Sequence, residues 1–396
     1  MKVLPRFLNV FAPLGIPLAW RQLTRDRKRF LTATIGVTFG VVLMLYQTGL
    51  YTASLRMVVF PHDALRADLV IISQNYEYFY QNRFFTRRIL HQIEGFPGVA
   101  SIAPLSVNYQ RWRNTTTGVD MTIAVLAINP SRNPFVLPDV AKQVHLLKNS
   151  ENVLFDRLSA QADFGKVGEA FEQQGEVLSE VEHRRVRVEG LFSMGQTLAA
   201  TGHIIASDEG LGRFYPQRSA NMINMGLVTL SKGADPYEVR HRLSNFLPKD
   251  IRVMTHGEFR KKEQDYWMTR TAIGFICIAG MLVGMFVGAI VVYQILYTDV
   301  TDHIREYATL KAMGITDGFL FRTIMIESLI LLVASFLPST LITAMMFHVT
   351  RKGAGMPTEL AVPEILTVFF LAAVTFVISG FLATRKLKTA DPADIF

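Results

Sequence analysis

The stretch TAIGFICIAGMLVGMFVGAIVVYQILY, residues 271–297, runs without one charged side chain. A helix needs about 20 mostly apolar residues to cross the hydrocarbon of a bilayer, so this segment is long enough to span. Read outward from it, two similar blocks follow at residues 319–349 and 363–384, and one precedes it at 30–52, each uncharged over its centre apart from Glu327. The composition agrees, since half of the 396 residues are hydrophobic and 19% are charged, too apolar for an ordinary soluble chain. Residues 53–270 instead have the mixed, charged composition of a globular domain. The expected fold class is therefore membrane α-helical, with four transmembrane helices, plus one α+β domain outside the membrane.

The first block follows the basic run Arg25, Asp26, Arg27, Lys28, Arg29. A cleavable signal peptide has a shorter apolar core; here the core is full length and sits behind residues 1–29, which include the amphipathic stretch 7–23, so an uncleaved anchor is expected. Four spans put both ends on one side. Arg21, Arg25, Arg27, Lys28 and Arg29 before the first, and Arg385, Lys386 and Lys388 after the last, mark that side as cytoplasmic by the positive-inside bias. The expected order is then a cytoplasmic segment 1–29, span 30–52, a periplasmic domain 53–270, span 271–297, a cytoplasmic loop 298–318, span 319–349, a short periplasmic loop 350–362, span 363–384 and a cytoplasmic tail 385–396. Arg260, Lys261 and Lys262 do not oppose this, because long translocated domains escape the charge rule; Arg351 and Lys352 in the short outer loop do run against it.

The net charge of +8 does not point to nucleic acid, because the cations collect at the ends of the apolar blocks rather than on one face with aromatics. The single cysteine, Cys277, lies inside a span, which excludes a disulfide or cysteine metal site within one chain. His62, His91, His145, His183, His203, His241 and His256 lack the i, i+4 spacing of a helical metal site and no Gly-x-Ser-x-Gly elbow occurs. Catalytic, cofactor and metal residues are thus expected to be none, with most of these histidines on the surface and Asp156 beside Arg157 forming an ion pair or a turn.

Lipid supplies little hydrophobic force between helices, so small residues that allow close approach take over. Gly280, Gly284 and Gly288 repeat every fourth residue in the second span, and Gly36 and Gly40 do so in the first, marking a contact face within a protomer or across a dimer. Glu327, some eight residues into the third span, would cost about 2.5 to 3.5 kcal/mol in hydrocarbon and is expected to face protein or water, in a structural or conformational role.

In the outer domain, residues 67–72, 119–128, 186–192 and 227–231 read as strands, and 86–94 and 236–246 as helices, giving a mixed sheet. In the cytoplasmic loop, Asp302 can cap a short amphipathic helix carrying Ile304, Tyr307, Ala308 and Lys311 at helical spacing, and Gly314 can end it.

Within that loop, Arg305-Glu306-Tyr307-Ala308-Thr309-Leu310-Lys311-Ala312-Met313-Gly314 resembles the coupling segment of FtsX/MacB-like ATP-binding-cassette (type VII) permeases. Glu327 resembles an acidic residue of their next span, residues 390–396 resemble their terminal Asp-Pro-Ala ending, and the order of one span, a large outer domain and three spans is theirs. Residues 306–314 and 63–68 are most similar to DevC-type cyanobacterial exporter permeases. The resemblance implies a plasma-membrane homodimer, a MacB-like periplasmic core, and an ATPase-coupling helix in which Asp302, His303, Arg305, Glu306, Tyr307, Leu310, Lys311, Met313 and Gly314 meet a cytoplasmic ATPase. It implies mechanotransmission of ATP-driven motion, a non-catalytic role for this chain, and no cofactor on it, ATP and magnesium being held by the ATPase. MacB carries its ATPase on the same chain; here no Gly-x-x-x-x-Gly-Lys-Ser/Thr phosphate loop occurs, Gly165-Lys166 being followed by valine, so a separate ATPase chain is expected. The DevC-type likeness further implies a periplasmic adaptor meeting residues 136–226, a TolC-like outer-membrane channel and glycolipid as cargo. A lipoprotein-extracting permease, an FtsX-type regulator of cell-wall hydrolases and a membrane-anchored sensor stay open as alternatives.

Overall fold

The computed structural model describes residues 27–302, 304 and 316–388, which fall into two units, one of residues 54–272 and one formed by the chain on either side of them. In chain order the elements begin α1 (Arg27–Asp63), β1 (Leu69–Ser73), β2 (Phe85–Thr86), α2 (Arg88–Ile93), β3 (Val99–Arg113), β4 (Asp120–Ile128), α3 (Pro138–Gln143), β5 (Asn152–Asp156), α4 (Gln161–Phe164), α5 (Val167–Gln174), β6 (Val177–Val181) and β7 (Arg184–Phe192). They continue β8 (His203–Ser207), α6 (Asp208–Phe214), β9 (Met222–Ile223), β10 (Met225–Leu230), α7 (Pro236–Phe246), β11 (Ile251–Thr255), α8 (His256–Thr269), α9 (Ala272–Asp302), α10 (Asp317–Ala354) and α11 (Val362–Lys388).

Among the described residues, four helices are long and apolar enough to cross a membrane, and they lie where the four apolar blocks do. Their ends differ from the hydropathy bounds. The helix of the first block continues past residue 52 to Asp63, and that of the third to Ala354. Hydropathy marks only the part that needs lipid, whereas the backbone ladder propagates through polar residues as readily. At 1.5 Å per residue α1 and α10 are each about 55 Å long, against about 30 Å of hydrocarbon. Gly355, at φ +63°, closes α10 in the left-handed conformation that glycine adopts without strain. The buried residues of this unit, among them Val37, Val41, Met44, Val292, Leu296, Ile324, Leu332, Val368 and Phe376, come from all four helices and form one core.

The second unit is built on a nine-stranded mixed sheet of order β11-β1-β10-β3-β4-β8-β5-β7-β6, with β4–β8 and β5–β7 parallel and a further β3–β6 bridge. Its central strands read as unbroken apolar runs because both faces are covered. In β4, Ala124, Leu126 and Ile128 enter one core while Ile123, Val125 and Ala127 enter another. In β1, Val70 and Ile72 join the first of these, and Leu69 and Ile71 join a third core closed by Leu90, Val239 and Leu243. The strand expectations fall within these elements to within a few residues. The helix expected over 86–94 is shortened, because Phe85 and Thr86 pair with Ile223 and Met222 and leave only α2 to coil.

The β6–β7 hairpin turns at Glu182 and His183, whose φ values are +47° and +58°. Both sit in the left-handed region that a two-residue turn demands and that costs a side chain about 1 to 2 kcal/mol. Glu182 has a reason to be there: Arg111 Nη2 donates to its Oε2 at 2.8 Å and Arg111 N to its Oε1 at 2.9 Å. Those Arg111 hydrogen bonds hold the Glu182 carboxyl below its ordinary value. Because the folded value is the lower one, this contribution is present above the unfolded carboxylate pKa and is lost as pH falls through the folded one. Among the described residues, no hydrogen bond engages the side chain of His183. His183→Gly is therefore expected to stabilise the domain by at most about 1 kcal/mol, read as a raised unfolding midpoint.

Candidate functional site

The sequence places function in three regions: the cytoplasmic loop, the glycine-bearing helices and Glu327. In the loop, His303, Arg305, Glu306, Tyr307, Leu310, Lys311, Met313 and Gly314 lie outside the described residues. Asp302 is described, but the short helix it was expected to cap lies, apart from Ile304, outside the described residues. It is helical and ends the described run of α9, with its side chain exposed.

Within the membrane unit the two glycine rows meet in a single protomer. A Cβ built on Gly40 would stand 2.8 Å from Gly288 Cα and 3.0 Å from Gly288 N, so two backbones are already at closest approach there. A Cβ on Gly36 would meet Val291 Cγ1 at 2.8 Å, one on Gly284 would meet Met44 N at 3.0 Å, and one on Gly280 would run into the Gln47 side chain. Gly288 itself has room, with Phe376 Cε1 at 3.6 Å. Hydroxyls complete the helix contacts: Ser339 Oγ donates to Thr38 O at 3.2 Å, joining α10 to α1, and Ser379 Oγ to Ala289 O at 3.0 Å, joining α11 to α9. Glu327 is fully buried in α10, within protein rather than facing lipid. Cys277 is also buried.

In the second unit the histidine expectation holds for most of the seven: His91, His145, His183 and His241 are exposed, whereas His62 and His203 are fully buried. His62, near the end of α1, has its Nε2 3.5 Å from Glu263 Oε2 and packs against Phe79 and Phe259. Glu263 is 1% exposed. Phe79 N donates to its Oε2 at 2.9 Å, Tyr76 Oη to its Oε2 at 3.1 Å and Trp267 Nε1 to its Oε1 at 3.0 Å. His203 Nδ1 stands 3.7 Å from Asp156 Oδ2, and its Nε2 lies 2.6 Å from Tyr80 Oη. Burial pushes the Tyr80 and Tyr76 hydroxyls well above the ordinary phenol range, so both stay protonated as donors. Asp156 accepts from Gly195 N at 2.8 Å and from Leu158 N at 3.1 Å, so it makes a turn and faces His203 rather than Arg157.

A tyrosine, a histidine and an aspartate in line resemble a proton relay, but all three are buried in the hydrophobic core, and a catalytic base must reach the proton it takes. Their burial suits them to joining the loop at residues 76–80 to β8 and β5, as Glu263 joins that loop to α8. Periodicity could not find them, since the partners are 123 and 187 residues apart. Among the described residues, no group of three His, Cys, Asp or Glu side chains is placed to hold a metal ion.

The helices α9, α10 and α11 are the part of the chain that comparison with known proteins defines best. Residues 278–392, which take in most of these three helices, match the FtsX-like permease C-terminal family. Over 96% of its length the chain is 22% identical to the macrolide export ATP-binding/permease protein MacB of Escherichia coli K12, and it has the same identity to the MacB of E. coli O157:H7. It spans 60% of the length of these curated relatives. The periplasmic region of MacB from Actinobacillus actinomycetemcomitans overlays 50% of this chain and 93% of its own at 14% identity, with a TM-score of 0.35. The extracellular domain of the noncanonic ABC-type transporter YknZ from Gram-positive bacteria overlays 48% and 99% at 15% identity, with a TM-score of 0.32.

Proposed function

We propose that the chain is the membrane component of an ATP-driven exporter, working as a homodimer with a separate ATP-binding-cassette ATPase in the cytoplasm. The observation that carries this is the FtsX-like match over residues 278–392, which includes the loop bearing Arg305 to Gly314 between α9 and α10. In this reading residues 302–314 dock on the ATPase. Nucleotide-driven closure of two ATPases displaces the loop, and α9 and α10, about 45 and 57 Å long, carry the displacement across the bilayer. The motion reaches the outer domain as a shift between two states biased by nucleotide. This chain holds no ATP or magnesium itself, and its ends lie in the cytoplasm.

Buried Glu327 does not by itself make an ion path, because the centres of the other spans contain no further carboxylate or histidine. That favours cargo collected outside or from the outer leaflet over cargo threaded through the helices. By likeness to DevC-type permeases the cargo is glycolipid, handed to a periplasmic adaptor at residues 136–226 and a TolC-like channel.

The test is ATP hydrolysis by the reconstituted complex with Glu306→Lys or Leu310→Asp. Each is expected to abolish complex formation or stimulated hydrolysis while insertion stays normal. Hydrolysis and binding unchanged in both would remove the coupling role and the exporter reading with it. A complex that hydrolyses ATP but moves no lipid-like cargo would turn the assignment toward control of a periplasmic hydrolase.

A further inference from the structure

The unit of residues 54–272 carries an open groove of about 930 Å³ between β11, α8 and the loop at residues 74–83. Its charge is unbalanced. Arg83, Arg240, Arg252, Lys261, Lys262 and Arg270 line it against Glu77, Glu258 and Asp265, an excess of three positive charges. Some of these cations are engaged: Arg240 pairs with Glu258, Arg270 with Glu77 at 3.7 Å, and Arg252 Nε donates to Gln74 Oε1 at 3.1 Å. Among the described residues, Arg83, Lys261 and Lys262 have no carboxylate at ion-pair distance. Burial, reinforced by Arg252 and Arg270, pushes the Lys262 ammonium below its ordinary value, so the site resists its own charge.

Chain connectivity ties one end of this groove to the second span. Lys261, Lys262, Asp265, Tyr266 and Thr269 lie on α8, and only Arg270 and Thr271 separate its end from Ala272, where the second span begins. Three peptide steps reach about 11 Å at most, so Thr269 and Arg270 stand in or beside the headgroup layer. The neighbouring aromatics fit that depth. Tyr266 lines the groove and stacks on Tyr78 at 4.9 Å, with Trp267 edge-on to both at 5.8 and 5.9 Å. Tyr and Trp gather where one side of the ring meets hydrocarbon and the other meets water. A basic, partly desolvated groove beside such a cluster favours an anion that arrives with an acyl tail over one dissolved in bulk water.

We propose that the groove binds the phosphate-bearing headgroup of an anionic lipid in the outer leaflet, with Arg83, Lys261 and Lys262 as its cationic contacts and Tyr266 against the glycerol region. Arginine offers a planar fork to phosphate oxygens and lysine a compact charge, so the two residue types complement each other at one phosphate. This stands apart from the exporter reading, because it concerns the chain without its ATPase and does not require the lipid to be cargo.

The test uses the full chain in phosphatidylcholine bilayer discs holding a small fraction of acyl-labelled dansyl phosphatidylglycerol, read by energy transfer from tryptophan. Labelled phosphatidylcholine serves as the neutral comparison. Native chain is expected to enrich the anionic lipid, Lys261→Gln with Lys262→Gln to lower that enrichment by about fivefold per charge, and inorganic phosphate in excess to leave it in place. Arg184→Gln with Arg185→Gln removes the same charge from the β6–β7 hairpin, at the other end of the strand order, and should leave enrichment as in native chain. Equal losses in both doubles would reduce the effect to bulk charge and overturn the site. Full displacement by phosphate would make the groove a receptor for soluble anions and overturn the lipid assignment.

Discussion

Gly40→Leu is expected to cost the membrane unit about 3 kcal/mol or more, the upper end of what overpacking a close contact does, and Gly288→Ala next to nothing. The two residues touch, yet only one of them needs to be glycine. A side chain on Gly40 points at the backbone of α9, 2.8 Å from Gly288 Cα, and a backbone cannot rotate out of the way as a side chain can. A methyl on Gly288 points elsewhere, at 3.6 Å from Phe376. Gly36→Ala should fall between, because Val291 Cγ1 belongs to a side chain that can give way. Thermal unfolding of the full chain in detergent, followed by the far-ultraviolet circular dichroism of its helices, would rank the three. Equal losses at Gly40 and Gly288, or a loss that appears only as altered dimer content, would place the glycine face between protomers instead of between α1 and α9.

The second large effect belongs to Glu263. Glu263→Ala is expected to destabilise the outer domain by about 3 to 5 kcal/mol, the range seen when one member of a buried charged network is removed. The deletion strands Phe79 N, Tyr76 Oη and Trp267 Nε1 at once and leaves His62 facing a void. Tyr76→Phe removes only one donor to a charged acceptor and should cost about 1.5 to 3 kcal/mol. Since whole domains are stable by about 5 to 15 kcal/mol, the alanine variant should show early proteolysis in the segment around residues 76–80, and denaturant titration would measure the loss. A change under about 1 kcal/mol would mean that water replaces the carboxylate and that the network is not the anchor its burial suggests.

Both effects rest on contacts of different legibility. The glycine spacing was visible in the chain, because a repeat of four reports one face of a helix. What that face meets was not, since spacing is the same whether the partner is α1, another protomer or lipid. The Glu263 network left no trace at all. Glu263 follows Lys261 and Lys262 in a run that reads as solvated, and only the packing of α8 against residues 76–80 turns one carboxylate inward while its basic neighbours stay at the groove. Which of the seven histidines would be the buried ones, His62 and His203, was hidden for the same reason: a lone histidine looks alike in sequence whether it sits in water or in a core.

The sequence by itself determined the class of the protein: four apolar blocks of spanning length, an α+β domain between the first two, and a loop whose Arg305 to Gly314 wording points to FtsX/MacB-like permeases. These are local properties, set by the length and periodicity of contiguous residues, and local properties survive in one dimension. The tertiary structure alone decided the strand order, the helix overshoot beyond the hydrocarbon, the partners of Gly40 and Glu263, and the unbalanced groove near Arg270. Each of these joins residues far apart in the chain, and the free energy that joins them, from burial and from satisfying polar groups, exists only once the chain has folded.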